Sequence, residues 1–390
     1  MRILVVHPHL SAIGGGNAVA AWTLQGLREE AELTLLGLEP PDFAGVNRTF
    51  GTDLRASDFD VQTVTDVPSW WPWMPTQASL VRMMLLMRAC RELDRKRRFD
   101  RLVCTSNEFD FGRPGIQYVH YPWAYLPRPA TERTLVHRIP GAVRAYQSLA
   151  AAIAPVSARR VRANRTLANS QFVRGRYERA WAGEASVVHP PVPGGFPEVA
   201  WENRADAFVC VGRLHREQRP LLVLAIVAGL RRGGDQLERR FPGTVSYSEH
   251  EAELRDRIAE NGDWAKVHVG LSRRAMVEQI ARQRYGIHAM VEEHFGIAPA
   301  ELQRAGCITF AHNSGGPVEI LGGDERVLFD TAEDAVEKIE AVLRSETRQR
   351  ELGRAATSRA ERFSEERFVD EMRREVLGGW RGPEERAAVD

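Results

Sequence analysis

Lysine is nearly missing from this 390-residue chain: of 53 basic residues, only Lys96, Lys266 and Lys338 are lysines. Charge contacts therefore rest on guanidinium forks, which suit carboxylate and phosphate oxygens. An excess of charge of one sign is missing too, since 53 basic residues face 52 acidic ones for a net charge of +1. That balance argues against a chain that binds nucleic acid by bulk electrostatics. Cysteine is sparse: Cys90, Cys104, Cys210 and Cys307 lie far apart and share no metal-ligand spacing, so they read as reduced, buried thiols. Long hydrophobic runs are absent. The ILVV that follows Arg2 is too short for a signal-peptide core, and no stretch approaches about 18 uninterrupted apolar residues, so a cytoplasmic protein is expected. With 43% hydrophobic and 27% charged residues, the composition is that of a folded globular chain.

What is present is a repeated alternation of strand and helix. RILVV (residues 2 to 6) is a continuous apolar run of the kind buried on both faces of a parallel sheet. IGGGNAVAAWTLQGL then opens a helix, and ELTLLGL (32 to 38) supplies the next strand, which together make a βαβ unit. DRLVCTS, GIQYVHY and TLANS continue the pattern, with Ser170 placed to cap a helix. Proline and glycine concentrate in PPVPGGFPEVAWENRA (190 to 205), a linker candidate. Beyond it the alternation restarts with AFVCVG, KVHVG, GIHAM, CITFA and VLFD. A chain of this length exceeds what one core sustains. The reading is an N-terminal domain over 1–190, a linker over 191–205, a second domain over 206–364 and a C-terminal helix within 365–390. Two successive doubly wound domains imply a ligand cleft between the carboxyl ends of two parallel sheets.

Five stretches carry candidate chemistry. In VEEHFGIAPAELQRAGCITF (291 to 310), Glu293 and Glu301 flank a Phe295-Gly296-Ile297 turn before a helix beginning near Ala298. Amides at that mouth meet the positive end of the helix dipole. The bland alternative is an acid that merely complements a helix start. The loop IGGGN can bring backbone N–H groups close to an anionic or sugar ligand, although it lacks the GxGxxG dinucleotide spacing, and it serves equally as a tight strand-to-helix turn. In VGRLHREQRP (211 to 220), Arg213, Arg216 and Arg219 are placed to converge on a diphosphate or to lie solvated on the surface. His120, at the end of the strand in YVHYPWAY, reads either as a ligand contact or as a satisfied structural histidine. PSWWPWMPTQASLVRMMLLMRACRELDRKRRF combines Trp70, Trp71 and Trp73 with a Met-rich helix and a basic end. It reads as a core helix with a solvated edge or as a peripheral membrane contact.

EHFGIAPAE with its E-x7-E spacing, AGCITFAHNSGGPVEI, VGRL, GGGN and YVHYP together resemble the family-4 retaining glycosyltransferases. The resemblance is nearest to the mannosyltransferases of lipid-linked oligosaccharide assembly, and the motifs span nearly the whole chain in order. It implies the GT-B fold: α/β, with two Rossmann-like doubly wound domains facing each other across a cleft. The implied reaction transfers a hexose from a nucleotide-diphosphate sugar, GDP-mannose first, to a hydroxyl of a small-molecule, lipid or glycan acceptor. No cofactor or metal takes part, the nucleotide sugar being a co-substrate. Glu301 would hold the ribose, Glu293 a hexose hydroxyl, and His294 and the amides of Phe295, Gly296 and Ile297 the sugar and distal phosphate. Arg213 would bind the diphosphate, His120 the hexose, and Gly15 and Gly16 would close on the phosphate. Where the family carries a lysine five residues after the arginine, this chain has Gln218. Arg219 is then expected to supply the missing cation. Two alternatives stand beside this: an enzyme like UDP-N-acetylglucosamine 2-epimerase, and a non-catalytic nucleotide-sugar-binding relative.

Overall fold

The computed structural model describes residues 1–64, 79–124, 154–213, 215–232, 238–244, 254–259 and 265–378. Trp70, Trp71, Trp73 and Trp380 lie outside these residues, as does the side chain of Arg213. The chain divides into two compact units, one formed by 1–191 with 366–390 and the other by 192–365.

In the first unit, β1 (Arg2–Val6), β2 (Glu32–Gly37), β3 (Asp60–Thr63), β4 (Arg101–Cys104), β5 (Ile116–Val119), β6 (Arg165–Ala168) and β7 (Ser186–Val187) form a parallel sheet in the order β3-β2-β1-β4-β5-β6-β7. The apolar run of β1 explains its central place. Successive side chains of a strand point to opposite faces, so Ile3 and Val5 enter one core cluster while Leu4 and Val6 enter the other, and all four are fully buried. The glycine loop opens the Gly15–Leu27 helix. The C-terminal Glu365–Leu377 helix belongs to this unit through Phe368, Met372 and Val376, buried in the β1 core, and through the paired bonds of Arg165 to Glu375 at 2.7 and 2.8 Å. Gly26 makes that approach possible, because a Cβ there would lie 2.9 Å from Val369 Cγ1.

The second unit holds β8 (Ala205–Val209), β9 (Gly212–Arg213), β10 (Glu238–Thr244), β11 (Ala265–Val269), β12 (Gln283–His288), β13 (Ile308–His312) and β14 (Leu328–Phe329). They run parallel in the order β11-β10-β8-β12-β13-β14, with β9 paired to β10. The segment read as a linker is strapped into this unit. Val192 lies in its core and bonds Phe363 O, Gly194 N–H donates to Glu365 Oε1 at 2.7 Å, and Pro193 O accepts from Arg273. Proline and glycine there make an extended strap anchored through main-chain groups.

Chain order reverses between β1 and β4 in one sheet and between β8 and β12 in the other. The crevice outside the strand ends at such a reversal is where open α/β sheets take ligands. His7 and Thr105 directly follow β1 and β4, His288 ends β12, and the segment after β8 leads to Gln218.

Candidate active site

In the first unit a polar cluster gathers at the carboxyl ends of β1, β4 and β5. Gly14, at φ 94°, begins the Gly15–Leu27 helix with no side-chain cap and no acid in its first turn. Asn17 instead ties the preceding loop: its Oδ1 accepts from Ser11 N–H, and its Nδ2 donates to Ile13 O and reaches Ser11 Oγ. His7, buried, lies 2.9 Å from Asn17 Oδ1 through Nε2 and 2.9 Å from Thr105 Oγ1 through Nδ1. Burial lowers the His7 imidazole to about 4 despite the Asn17 bond, so it is neutral near pH 7. His120 Nε2 lies 2.9 Å from Thr105 O, and its backbone N–H donates to Asn107 Oδ1. Gly16 sits against this ring, since a Cβ there would come within 3.3 Å of His120 Nε2. The structure thus places Gly16, one residue into the helix that Gly15 begins, against His120, and sets His7, Asn17 and Thr105 around them.

In the second unit a cluster gathers two loops and a turn. The loop after β12 enters the Ile297–Arg304 helix, one residue earlier than Ala298, at Gly296 (φ 104°), again without a side-chain cap. The loop after β13 grips it. Gly316 N–H donates to Glu293 O at 2.8 Å, Ser314 Oγ accepts from Glu292 N–H at 2.8 Å and lies 2.9 Å from His312 Nδ1. A Cβ on Gly315 would meet Glu293 O at 2.3 Å, and one on Gly316 would meet Phe295 O at 2.1 Å. The two glycines of HNSGGP are therefore required by close backbone contact, and Glu292 itself is held at φ 52°.

The Glu293 side chain lies 3.3 Å from His288 Nε2. Burial works to raise its carboxyl, yet His288, His294 and a hydrogen bond from Gln218 hold it below its ordinary value. Gln218 closes over Gly212, where a Cβ would stand 3.0 Å from its Oε1, and also reaches Met290 Sδ at 3.1 Å. The amide at the position of the missing lysine therefore touches Glu293. Arg219, at φ 51°, turns the chain into the Pro220–Arg232 helix. Its charge helps burial lower the His312 imidazole, which places Arg219 beside the HNSGGP loop. Glu301 is buried, and its Oε1 is paired with Arg273, whose other Nη donates to Pro193 O and whose guanidinium lies over the Phe196 ring. Burial raises the Glu301 carboxyl even so, with Arg273 opposing. The Phe295 ring serves the core against Phe363, leaving its backbone to the loop, and Ile297 packs partly against the same core.

Arg213 enters through its backbone in β9. Among the residues that motif reading passed over, Arg273 and His288 had no fixed spacing to betray them. His7 carried a usable signal: a polar residue directly after a buried strand. Uncapped helix starts, buried carboxylates and imidazoles at two sheet reversals form surfaces suited to an anionic, hydroxyl-rich ligand.

Residues 196–359 match the family described as Glycosyl transferases group 1. The GDP-Man:Man(3)GlcNAc(2)-PP-Dol alpha-1,2-mannosyltransferase of Dictyostelium discoideum is 30% identical over 160 residues, which cover 40% of this chain and 30% of that protein. The human protein of the same name is 28% identical over 162 residues, covering 39% and 30%. The chain thus matches under a third of the length of these relatives. Among solved structures, WaaG, a glycosyltransferase involved in lipopolysaccharide biosynthesis, superposes with a TM-score of 0.67 at 13% identity, covering 97% of this chain and 100% of that one. Anabaena HepE in complex with UDP and glucose gives 0.66 at 14% identity, with 97% and 100% covered. Residues 196–359 are a glycosyl transferases group 1 domain, and the chain that carries them has the GT-B fold of the glycosyltransferases.

Proposed function

We propose that the protein transfers a mannosyl group from GDP-mannose to an acceptor hydroxyl, with retention of configuration and without a metal ion or other cofactor. The observation that carries this reading is the interlocking of the E-x7-E element with the HNSGGP glycines, joined by the bond from Gly316 N–H to Glu293 O. The names of the relatives support mannose and GDP. They also favour a glycan or lipid-linked glycan acceptor, with Trp70, Trp71 and Trp73 as the peripheral membrane contact. Among the described residues no helix is long and apolar enough to cross a membrane.

In this mechanism Glu301, beside Arg273, accepts from the ribose hydroxyls, and Glu293 accepts from a hexose hydroxyl. His294 and the amides of Phe295, Gly296 and Ile297 receive the sugar and distal phosphate. Arg213 and Arg219 offset the charge of the departing diphosphate, and Gly15 and Gly16 close on the phosphate. His120 contacts the hexose beside the reacting carbon. The acceptor oxygen forms its bond to the anomeric carbon on the face from which the diphosphate leaves. The broken C–O pair stays on the phosphate oxygen, which takes the acceptor's proton, so no enzyme nucleophile is needed.

Gln218 favours a second reading, a nucleotide-sugar binder with little turnover, because a neutral amide cannot replace an ammonium beside a leaving diphosphate. A thermal-shift panel of GDP-, UDP-, TDP- and ADP-sugars in EDTA, followed by an assay for released nucleoside diphosphate, separates these. GDP-mannose should raise the midpoint most and GDP should be released. A larger shift with a UDP-sugar overturns the donor assignment. Binding without release, reversed by Gln218→Lys, establishes the binder.

A further inference from the structure

The polar cluster of the first unit contains a chain of groups whose proton positions are set by its end members. A carbonyl oxygen can only accept and a backbone N–H can only donate. Because Ser11 N–H donates to Asn17 Oδ1 and Ile13 O accepts from Nδ2, the orientation of the Asn17 amide is fixed. His7 Nε2, 2.9 Å from that same Oδ1, must then carry hydrogen. The imidazole is buried and neutral, so Nδ1 holds a lone pair and accepts from the Thr105 hydroxyl at 2.9 Å. Thr105 O in turn can only accept, so His120 Nε2 carries hydrogen and donates to it at 2.9 Å.

We infer that His7 and Asn17 are positioning residues that lock the glycine loop and His120 into one preorganised body. Asn17 sets the Ser11–Gly14 turn, His7 connects it to Thr105, and the Thr105 carbonyl fixes the tautomer and tilt of His120. The packing of Gly16 against the His120 ring closes the circuit from the other side. Groups that must meet a developing charge are effective when held in place beforehand, and a loss of about 1 Å in such a site costs roughly a hundredfold in rate. A buried histidine suits the task because its neutral ring donates on one side and accepts on the other. No substrate contact is assigned to His7 or Asn17. The inference rests on the transferase reading only where turnover is concerned.

The test uses the full chain with His7→Phe, His7→Gln and Asn17→Leu. Glutamine retains a donor and an acceptor at one end, whereas phenylalanine and leucine remove both. Release of GDP from GDP-mannose should fall at least about tenfold in kcat for His7→Phe and Asn17→Leu, with KM changed less than about twofold, and His7→Gln should recover most of the loss. Long-range proton–nitrogen spectra of the histidines at pH 7 should show Nε2–H tautomers at both His7 and His120, and His7→Phe should shift the His120 ring resonances. Equal kcat in wild type and His7→Phe overturns the inference. So does a thermal midpoint that falls in step with kcat while His7→Gln fares no better than His7→Phe, or a His120 spectrum untouched by both His7→Phe and Asn17→Leu. A wild-type protein that releases no nucleoside diphosphate from any donor defeats the transferase reading, whereas the spectra still decide the coupling.

Discussion

The two clusters, one in each unit, begin alike and are held differently. Each lies where a parallel sheet reverses its strand order, and each opens a helix on a glycine with no side-chain cap. In the first unit the supports are neutral: an imidazole, an amide, a hydroxyl and carbonyls. In the second an ion pair, Glu301 on Arg273, stands with the carboxylate of Glu293, which has His288 and His294 beside it. In the proposed function the second unit takes the nucleotide, so its ion pair would offset charge, while the first unit would hold a geometry. The two clusters should therefore break under different insults.

The sharpest contrast should come from Arg273→Met. Removing one partner of a buried pair leaves the other charge uncompensated, and the Glu301 side chain is only 8% exposed. We expect a loss of about 3 kcal/mol in urea unfolding, at the low end of such changes because Arg273 keeps some solvent contact. Adding Glu301→Gln to Arg273→Met should recover part of it. A single-variant loss below about 1 kcal/mol, the range of exposed ion pairs, would make this cluster no more charge-dependent than the protein surface.

Matched glycine substitutions come next in size. Gly316→Ala drives a Cβ to 2.1 Å from Phe295 O, where both neighbours are backbone and neither can swing away. The expected cost is about 2 kcal/mol, as for overpacking, together with loss of the midpoint shift on adding GDP. Gly16→Ala meets only the edge of the His120 ring at 3.3 Å. A few tenths of an ångström of ring movement relieves it, so stability should fall by less than about 1 kcal/mol while kcat drops through the displaced His120. If the order of the two stability losses reverses, the cluster of the first unit is the more tightly packed of the two.

What was legible beforehand follows from this contrast. Strand positions could be read because a run such as RILVV has only one comfortable place, between two cores. The GG of HNSGGP and the E-x7-E spacing were legible because close backbone contact and a helix start impose fixed residue types at fixed separations. The partners across the sheet were not. Arg273 reaches Glu301 across 28 residues and His7 reaches Thr105 across 98, and no local pattern records such pairs. The segment 191–205 looked like a hinge because proline and glycine dominate both hinges and extended straps. Its anchoring depends on Glu365 and Arg273, which lie far along the chain.

The smallest effects concern pH, and their signs can be worked out. His7 falls from an ordinary 6.5 to about 4 in the folded protein, chiefly through burial. Its contribution to stability is complete above 6.5 and is lost as pH falls towards 4, because the unfolded chain takes the proton first. Glu108, in the same unit, is pushed up to about 7 by burial, against bonds from Trp181 Nε1 and Trp123 N. Its contribution is complete below 4.5 and is lost as pH rises through 7. Between 4.5 and 6.5 the two slopes oppose, each worth about 1.4 kcal/mol per pH unit at most. His7→Gln should therefore make stability fall more steeply with rising pH than in wild type, and Glu108→Gln should make it rise more steeply. Urea midpoints at pH 5, 6 and 7 would show this, and parallel profiles for all three proteins would mean that neither group carries the burden its burial implies. In the second unit the carboxylates oppose one another, Glu293 shifted down and Glu301 up, beside the lowered His312. The Glu293 contribution is therefore lost only as pH falls below 4.5, whereas that of Glu301 is lost as pH rises above 4.5, so mild acid at pH 5 to 6 should act on the His7 network without touching the Glu293 contribution.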